Sequence, residues 1–182
     1  MSRKNPAIAQ LSKKHWICDI EDAAAVQNAI RGEEFDLGFA SPDATLAAGV
    51  SDALASMGML VASPTKAASR IEWDKSFMRK LLDKHRVRGS PRHGMVSDAE
   101  DALRLMRDLG DVAIKPLGLT GGKGVRVSGE HFSAHEEGME YVRSLIKKDG
   151  VALIEEKIVG EEFTLQAFCD GSRSSVMPAV QD

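Results

Sequence analysis

The sequence has 182 residues, enough to build one good hydrophobic core or two small ones. Hydrophobic residues make up 43% and charged residues 28%, a balance that excludes a disordered or fibrous chain. A net charge of −3 provides no basic field for nucleic acid, and no apolar run reaches the roughly 18 residues of a membrane span. We therefore expect neither nucleic acid nor a membrane as a partner.

The N-terminus lacks the apolar stretch of a signal peptide, so the cytoplasm is the expected location. Cys18 and Cys169 are far apart and have no companions at metal-ligand spacing, which predicts neither a disulfide framework nor a zinc site. Both cysteines are expected to be small buried hydrophobes.

Residues 1–66 are predicted to form a partial Rossmann-like domain, because helical and extended patterns alternate along them. Helices are expected at 6–14, 21–31 and 43–57, and strands at 15–20, 35–40 and 59–62. Asp43 is a possible N-cap of the third helix, and Gly58 ends that helix. A doubly wound unit normally opens with a strand and a glycine-rich turn, whereas this chain opens with a helix. We therefore expect part of this domain to be missing from the sequence.

Residues 67–88 are predicted to be a helical connector, and residues 89–158 a small α+β unit. Within that unit the expected order is strand, helix, strand, strand, helix, strand, with segments at 92–96, 98–109, 111–116, 124–128, 133–148 and 151–158. Asp98 is the expected N-cap of the first of these helices. Residues 159–182 are predicted to begin a further unit with a β-hairpin that turns at Asp170 and Gly171.

The segment DVAIKPLGLTGGKGVRV carries the strongest chemical signal: a strand delivers Lys115, and a glycine-rich loop containing Lys123 follows. Glycines allow several backbone N–H groups to face one anion, and the lysines add positive charge, which suits a triphosphate. The alternative for this segment alone is a hairpin with solvated lysines. A Walker A loop is excluded, because Leu117 replaces its first glycine, Gly124 replaces its Ser or Thr, and a strand follows.

A second segment, VALIEEKIVGEEFT, ends an apolar strand in Glu155 and Glu156 and continues to Glu162. A strand end can offer backbone groups to the edge of an adenine, and a later carboxylate can accept both ribose hydroxyls. Taken alone, the segment is more typical of acidic residues that solvate a strand end and a turn. Its position after Lys115 and the glycine loop favours the nucleotide interpretation.

In order along the chain, a basic residue on a helix, a strand lysine, a glycine-rich loop and the Glu-Glu-x-Ile segment resemble the ATP-grasp ligases. Within that superfamily the chain resembles the phosphoribosylamine–glycine ligase (glycinamide ribonucleotide synthetase) family over nearly its whole length. The segments that carry this resemblance are NPAIA, SPDATLAAGVSDAL, SPTKAASRIEWDKSFMRKLL, KPLGLTGGKGV, IEEKIVGEEFTLQAFCDG and PAVQD.

The resemblance implies an α/β protein: a partial Rossmann-like pre-ATP-grasp domain, the α+β ATP-grasp nucleotide-binding subdomain, and the start of a second ATP-grasp subdomain. The implied reaction joins glycine to 5-phosphoribosylamine through glycyl phosphate, with release of glycinamide ribonucleotide, ADP and phosphate, in de novo purine synthesis. We expect the chain to be an incomplete piece of such a ligase, lacking residues at both ends and inactive alone. Open alternatives are another carboxylate–amine ligase of the superfamily and a non-catalytic nucleotide-binding fragment.

The resemblance also assigns roles by position. Implied ATP-binding residues are Arg79, Lys115, Gly121, Gly122, Lys123, Gly124, Glu155, Glu156, Ile158 and Glu162. Implied substrate-binding residues are Pro42, Asp43, Gln181 and Asp182. Without the resemblance, Arg79 is equally typical of a helix surface. ATP and magnesium are the implied cofactors, but the family's magnesium ligands are expected outside this chain, so no metal ligand and no catalytic residue is named.

Overall fold

The computed structural model describes residues 5–121 and 123–181, so the predicted site residues Gly122 and Asp182 lie outside the described residues. The helices are α1 Pro6–Leu11, α2 Ala23–Ala29, α3 Asp43–Ala48, α4 Val50–Ser56, α5 Arg70–Trp73, α6 Lys75–Lys84, α7 Ala99–Leu109 and α8 His135–Asp149. The strands are β1 His93–Val96, β2 Val112–Lys115, β3 Arg126–Val127, β4 Ala152–Glu156, β5 Phe163–Thr164, β6 Ala167–Cys169, β7 Ser174–Val176 and β8 Val180–Gln181.

The N-terminal region has its predicted helices but little of its predicted sheet. Residues 35–40 and 59–62 meet in one parallel bridge between Gly38 and Val61, supported by hydrogen bonds of 2.7 and 2.8 Å. The strand expected at 15–20 is wrong, because a strand is defined by its pairing and these residues pair with no strand within the described chain. Helices α2 to α4 enclose a small core of Ala40, Leu46, Val50 and Leu54.

The helix expected at 43–57 is two helices, α3 and α4, which meet at Gly49. Gly49 has φ of 84°, a left-handed conformation that interrupts the helical hydrogen-bond ladder. The prediction of Asp43 as N-cap is also wrong. Pro42 occupies the cap position without a side-chain hydrogen bond, and its carbonyl accepts from Thr45 instead.

Residues 93–156 form the predicted strand, helix, strand, strand, helix, strand unit. Its sheet has the order β1-β4-β2-β3 with every neighbouring pair antiparallel, so the last long strand, β4, is central. Helices α7 and α8 pack against one face of the sheet. The core between them contains Val96, Ala102, Met106, Leu109, Val112, Ile114, Phe132, Met139, Val142, Leu145, Ala152 and Ile154.

Local signals explain where these two helices begin and end. The Asp98 carboxylate accepts from the backbone N–H groups of Glu100 and Asp101, which confirms the predicted N-cap of α7. At α8, the Glu137 carboxylate reaches back to the N–H groups of Ser133 and Ala134. Gly150 ends α8 in a left-handed conformation.

The predicted C-terminal hairpin is present as β6 and β7, and β5 pairs with β8 beside it. The Asp170 carboxylate accepts from the N–H groups of Ser172 and Arg173, which stabilises the turn. Cys169, expected to be buried, is exposed on β6. No helix in the described part of the chain is long and apolar enough to cross a membrane.

Core packing of the α+β unit leads to a prediction about stability. Ile154 is fully buried, so Ile154→Ala should lower the free energy of unfolding by about 2–5 kcal/mol through lost burial and a residual cavity. Ile71→Ala is the matched control, since Ile71 is 44% exposed on α5 and should change little. Urea unfolding of both variants measures the difference, and equal losses would contradict the proposed core.

Candidate functional site

The alternation of side chains along β4 places a carboxylate on the sheet face opposite the α7–α8 core. Ile154 points into that core, so its neighbour Glu155 points the other way, where only 2% of it is exposed. His93 on β1 and Ala113 on β2 lie directly opposite Glu155 in the sheet register. A buried carboxylate at this central position needs compensating partners.

Two cations from different elements neutralise Glu155. Arg79 of α6 donates from Nε to Glu155 Oε1 at 2.5 Å, and Lys115 at the end of β2 donates from Nζ to Oε2 at 2.7 Å. Arg79 also donates to the Ser90 hydroxyl at 3.1 Å. Arg79 is 7% exposed, which excludes a helix-surface arginine, whereas the Lys115 side chain keeps 27% of its surface exposed. We call these three residues the ion cluster.

The electrostatic balance of the ion cluster favours charged Glu155. Burial alone would raise the pKa of Glu155, but the hydrogen bonds from Arg79 and Lys115 and their positive charges outweigh burial and hold this pKa below its usual range. The carboxylate is therefore an anion near neutral pH.

Lys75, which was not predicted as a site residue, extends the positive charge of the site. It is the first residue of α6, capped by Asp74, and its charge interacts with both Lys115 and Glu155. Burial and the charge of Lys115 lower the pKa of Lys75, while Glu155 acts in the opposite direction. Its ammonium donates to the Gly118 carbonyl at 2.9 Å, so α6 is connected to the start of the glycine loop.

The sequence contained a signal for Lys75, because Asp74 is an N-cap residue and the following position lies at the helix N-terminus. That signal indicates where the helix begins, but not that this end of α6 faces β2. With Lys75 included, two cations contact Glu155 and a third interacts with it electrostatically, so the site has a surplus of positive charge suited to an anionic ligand.

The glycine loop connects β2 to β3 beside Lys115. Gly121 has φ of 58°, a conformation that favours glycine. Gly124 lies so close to the loop's own atoms that an added Cβ would be 2.6 Å from Thr120 Oγ1. Lys123 is exposed next to it. Two of the predicted glycines are thus required by the shape of the loop.

The strand-end residues lie on the same strand as the ion cluster but have different surroundings. The Glu156 carboxylate accepts from the Arg92 backbone and side chain at 2.8 and 2.9 Å, and the Glu156 N–H donates to the Arg92 carbonyl. Ile158 is 66% exposed, and its N–H has no hydrogen bond within the described residues. A strand end with a free N–H could bind the edge of a planar ring.

The remaining predicted residues lie apart from the ion cluster. Glu162 is exposed just before β5, and Gln181 of β8 pairs with Phe163 and donates to Glu161 at 3.4 Å. Pro42 and Asp43 are exposed at the start of α3 and share no hydrogen bond or ion pair with the cluster in the described structure. The roles of all these residues remain predictions.

Magnesium, which the resemblance implies, has no donor set in the described residues. No three His, Cys, Asp or Glu side chains converge there. The buried Glu155 carboxylate already has both oxygens bound to cations. These residues do not fit a magnesium ion.

Family models match the chain in two parts. The N domain of phosphoribosylglycinamide synthetase matches residues 1–72, and the ATP-grasp (A) domain of the same family matches residues 73–182. The division at residue 72 falls inside the segment 67–88. The predicted division into 1–66, 67–88, 89–158 and 159–182 itself stays a prediction.

Sequence relatives and solved structures agree with these matches. Phosphoribosylamine–glycine ligase of Methanoregula boonei is 43% identical over all of this chain, which spans 42% of that relative's length. Phosphoribosylglycinamide synthetase from Anaerococcus prevotii has a TM-score of 0.64 at 19% identity, over 98% of this chain and 43% of that one. ATP-complexed D-alanine–D-alanine ligase from Bacillus anthracis has a TM-score of 0.63 at 19% identity, over 88% and 52%.

The antiparallel sheet with its lysine-bearing strand, glycine loop and buried ion cluster therefore has the ATP-grasp fold. Within that class, the chain belongs to the phosphoribosylglycinamide synthetase family. It spans about 42% of the length of the curated relatives it matches.

The ion cluster predicts unequal effects of one substitution at adjacent positions of β4. Glu155→Gln removes the charge that neutralises buried Arg79, so it should lower the free energy of unfolding by about 3–5 kcal/mol. Glu156→Gln is the control, because Glu156 is partly exposed and pairs with the exposed Arg92, so it should contribute less. Urea unfolding measures the loss in free energy of unfolding for both variants. A loss for Glu155→Gln as small as that for Glu156→Gln would contradict the structural importance of the cluster.

The lowered pKa of Glu155 predicts a pH dependence with a defined sign. Because the folded-state pKa lies below the unfolded value of about 4.3, the carboxylate's stabilisation is fully present above that pH. It should be lost as pH falls through the folded-state pKa. The stability difference between wild type and Glu155→Gln, measured by urea unfolding from pH 7 to pH 3, should therefore shrink below about pH 4.3.

This difference cancels the other carboxylates that titrate in the same range. Those with lowered pKa values that both proteins share are Asp74, Asp98, Glu136, Glu156 and Asp170. A wild-type advantage that stays constant down to pH 3 would show that Glu155 is not an anion stabilised by the fold.

Proposed function

We propose that this chain supplies the ATP-binding face of a ligase that joins glycine to 5-phosphoribosylamine and forms glycinamide ribonucleotide, ADP and phosphate. In this reaction the glycine carboxylate attacks the γ-phosphorus of ATP, and ADP leaves with the electrons of the broken bond. The amine of phosphoribosylamine then attacks the carbonyl of glycyl phosphate, and phosphate departs. Family membership and the 43% identity to the Methanoregula boonei ligase support the choice of reaction.

The observation that carries the proposal is the ion cluster beside the glycine loop. Lys115 is the only member of the cluster with substantial exposure, and it is the last residue of β2, directly before the loop. Phosphate oxygens of ATP would compete with Glu155 for this ammonium. Lys75 adds a second positive charge at the same place. Positioned positive charge of this kind stabilises the charge that develops during phosphoryl transfer.

Arg79 has a different place in this proposal from the phosphate contact implied by its sequence position. Its guanidinium is buried and already bonded to Glu155 and Ser90. When Lys115 turns toward a phosphate, Arg79 would continue to neutralise Glu155. Without Arg79, Lys115 would be the sole cation neutralising the buried Glu155 carboxylate. Transfer of Lys115 to an ATP phosphate would then leave a buried, unpaired charge and would weaken ATP binding. A direct contact between Arg79 and phosphate stays a prediction.

The strand end after Glu155 suits the adenine and ribose. We propose that the Ile158 N–H and the Glu156 carbonyl bind the adenine edge, since the Glu156 N–H is occupied by Arg92. Glu162 would accept from the ribose hydroxyls. Pro42 and Asp43, with Gln181 and Asp182, remain candidates for contact with glycine or phosphoribosylamine. No step is assigned to magnesium.

The proposal predicts that nucleotide affinity depends more on Lys115 than on Lys123. Lys115 lies on a paired strand and its side chain is already held by Glu155, so little conformational entropy is lost when it binds phosphate, whereas the exposed side chain of Lys123 must lose more. Lys115→Ala should weaken the binding of a fluorescent ATP analogue by at least tenfold, and Lys123→Ala by less. Lys80→Ala is the control for loss of one positive charge, since Lys80 is exposed on α6.

Direct titration of the wild-type chain with the analogue is the first test. Equal losses of affinity in Lys115→Ala and Lys80→Ala would contradict a role of the ion cluster in ATP binding.

The reaction itself needs a longer chain. We would replace the matching 42% of the Methanoregula boonei ligase with this chain and measure ADP release. Release should require both glycine and phosphoribosylamine. Release with another amino acid in place of glycine would indicate a different carboxylate–amine ligase.

A further inference from the structure

Tyr141, on α8 and outside the predicted site, contacts the far end of the glycine loop. Its hydroxyl donates to the Gly124 carbonyl at 2.7 Å. The guanidinium carbon of Arg126, two residues further along, lies 5.6 Å from the centre of the Tyr141 ring. One side chain therefore holds both the last residue of the loop and the beginning of β3.

Tyr141 lies on a part of α8 that is packed against the core. Its neighbours on α8, Met139 and Val142, are buried in the core, and the Tyr141 ring packs partly against the same core. The helix is further fixed at its N-terminus by Glu137. The hydroxyl is consequently presented from a fixed element rather than from another loop.

The loop is tightly folded at the point that Tyr141 holds. The Lys123 N–H donates to the Thr120 carbonyl at 3.2 Å, which closes a turn. A Cβ on Gly124 would lie 2.8 Å from Pro116 Cγ, so the two ends of the loop approach each other closely at this residue. Fixing the Gly124 carbonyl therefore restricts its neighbour Lys123.

We propose that Tyr141 is a positioning residue that holds the glycine loop in a conformation from which Lys123 reaches the polyphosphate of a bound nucleotide. The proposal rests on the proposed function for its ligand. Because the turn is held before nucleotide arrives, less conformational freedom is lost when Lys123 binds. Tyr141 itself does not touch the nucleotide in this arrangement; it acts through the backbone of Gly124.

The test compares ATP with AMP in titrations of Tyr141→Phe, which keeps the ring and removes only the hydroxyl. Loss of one hydrogen bond should weaken ATP binding about 2- to 10-fold and leave AMP binding unchanged, because AMP lacks the phosphates that Lys123 would reach. Ser144→Ala is the control, since it removes another α8 hydroxyl, which in the described structure donates to a backbone carbonyl of the same helix, that of Tyr141, and not to the loop. A structural defect would weaken ATP and AMP equally and overturn the proposal.

A double-mutant cycle with Lys123→Ala shows whether Tyr141 acts through that lysine. The effect of Tyr141→Phe on ATP binding should disappear when Lys123 is absent, and an undiminished effect would contradict the proposal.

Millisecond hydrogen exchange over residues 118–126 without nucleotide provides an independent measurement. Exchange should be faster in Tyr141→Phe than in wild type. Failure of the wild-type chain to bind ATP would refute the proposed function. Equal hydrogen exchange in Tyr141→Phe and wild type would refute the role of Tyr141 as a positioning residue.

Discussion

A buried carboxylate shared by two cations connects the elements on which the candidate site depends. Glu155 lies at the centre of the sheet, and its two oxygens are bound by a guanidinium from α6 and an ammonium from β2. Because an unpaired charge at this depth would be strongly destabilising, the connector helix and the sheet must keep this geometry. The same geometry sets the direction of Lys115 and the start of the glycine loop. Stability and ligand binding are thus coupled through one residue.

This coupling limits how the site can change. Removing Arg79 leaves the buried Glu155 carboxylate with the partly exposed Lys115 as its cation, while removing Glu155 leaves a buried arginine. Arg79 and Glu155 are therefore expected to be replaced together or not at all. Lys115 has more freedom, because part of its surface is exposed and water can compensate its charge. The residue best suited to exchange its partner for a phosphate is the one that the structure leaves partly solvated.

The sequence predicted the α+β unit well because local signals determine its elements. Asp98, Gly110 and Gly150 mark helix boundaries that short-range hydrogen bonds and left-handed glycines impose. The N-terminal strands were less predictable, since pairing, rather than the apolar pattern alone, makes a strand. Within the described N-terminal residues, the bridge between Gly38 and Val61 is the one strand pairing. The contact between Arg79 and Glu155 spans 76 positions, so no local pattern indicates it.

Lys115, directly before the glycine loop, and Lys123, within it, are positioned for phosphate binding in different ways. Lys115 is fixed by strand pairing and by Glu155 before any ligand arrives, at the cost of a competing carboxylate. Lys123 has no carboxylate partner among residues 5–121 and 123–181, but it lies in a loop whose order depends on the Thr120 turn and on the Gly124 carbonyl held from α8. A lysine fixed on a strand favours affinity for the bound nucleotide. A lysine in a loop can change position as negative charge is redistributed during phosphoryl transfer. A site that transfers a phosphoryl group benefits from having both.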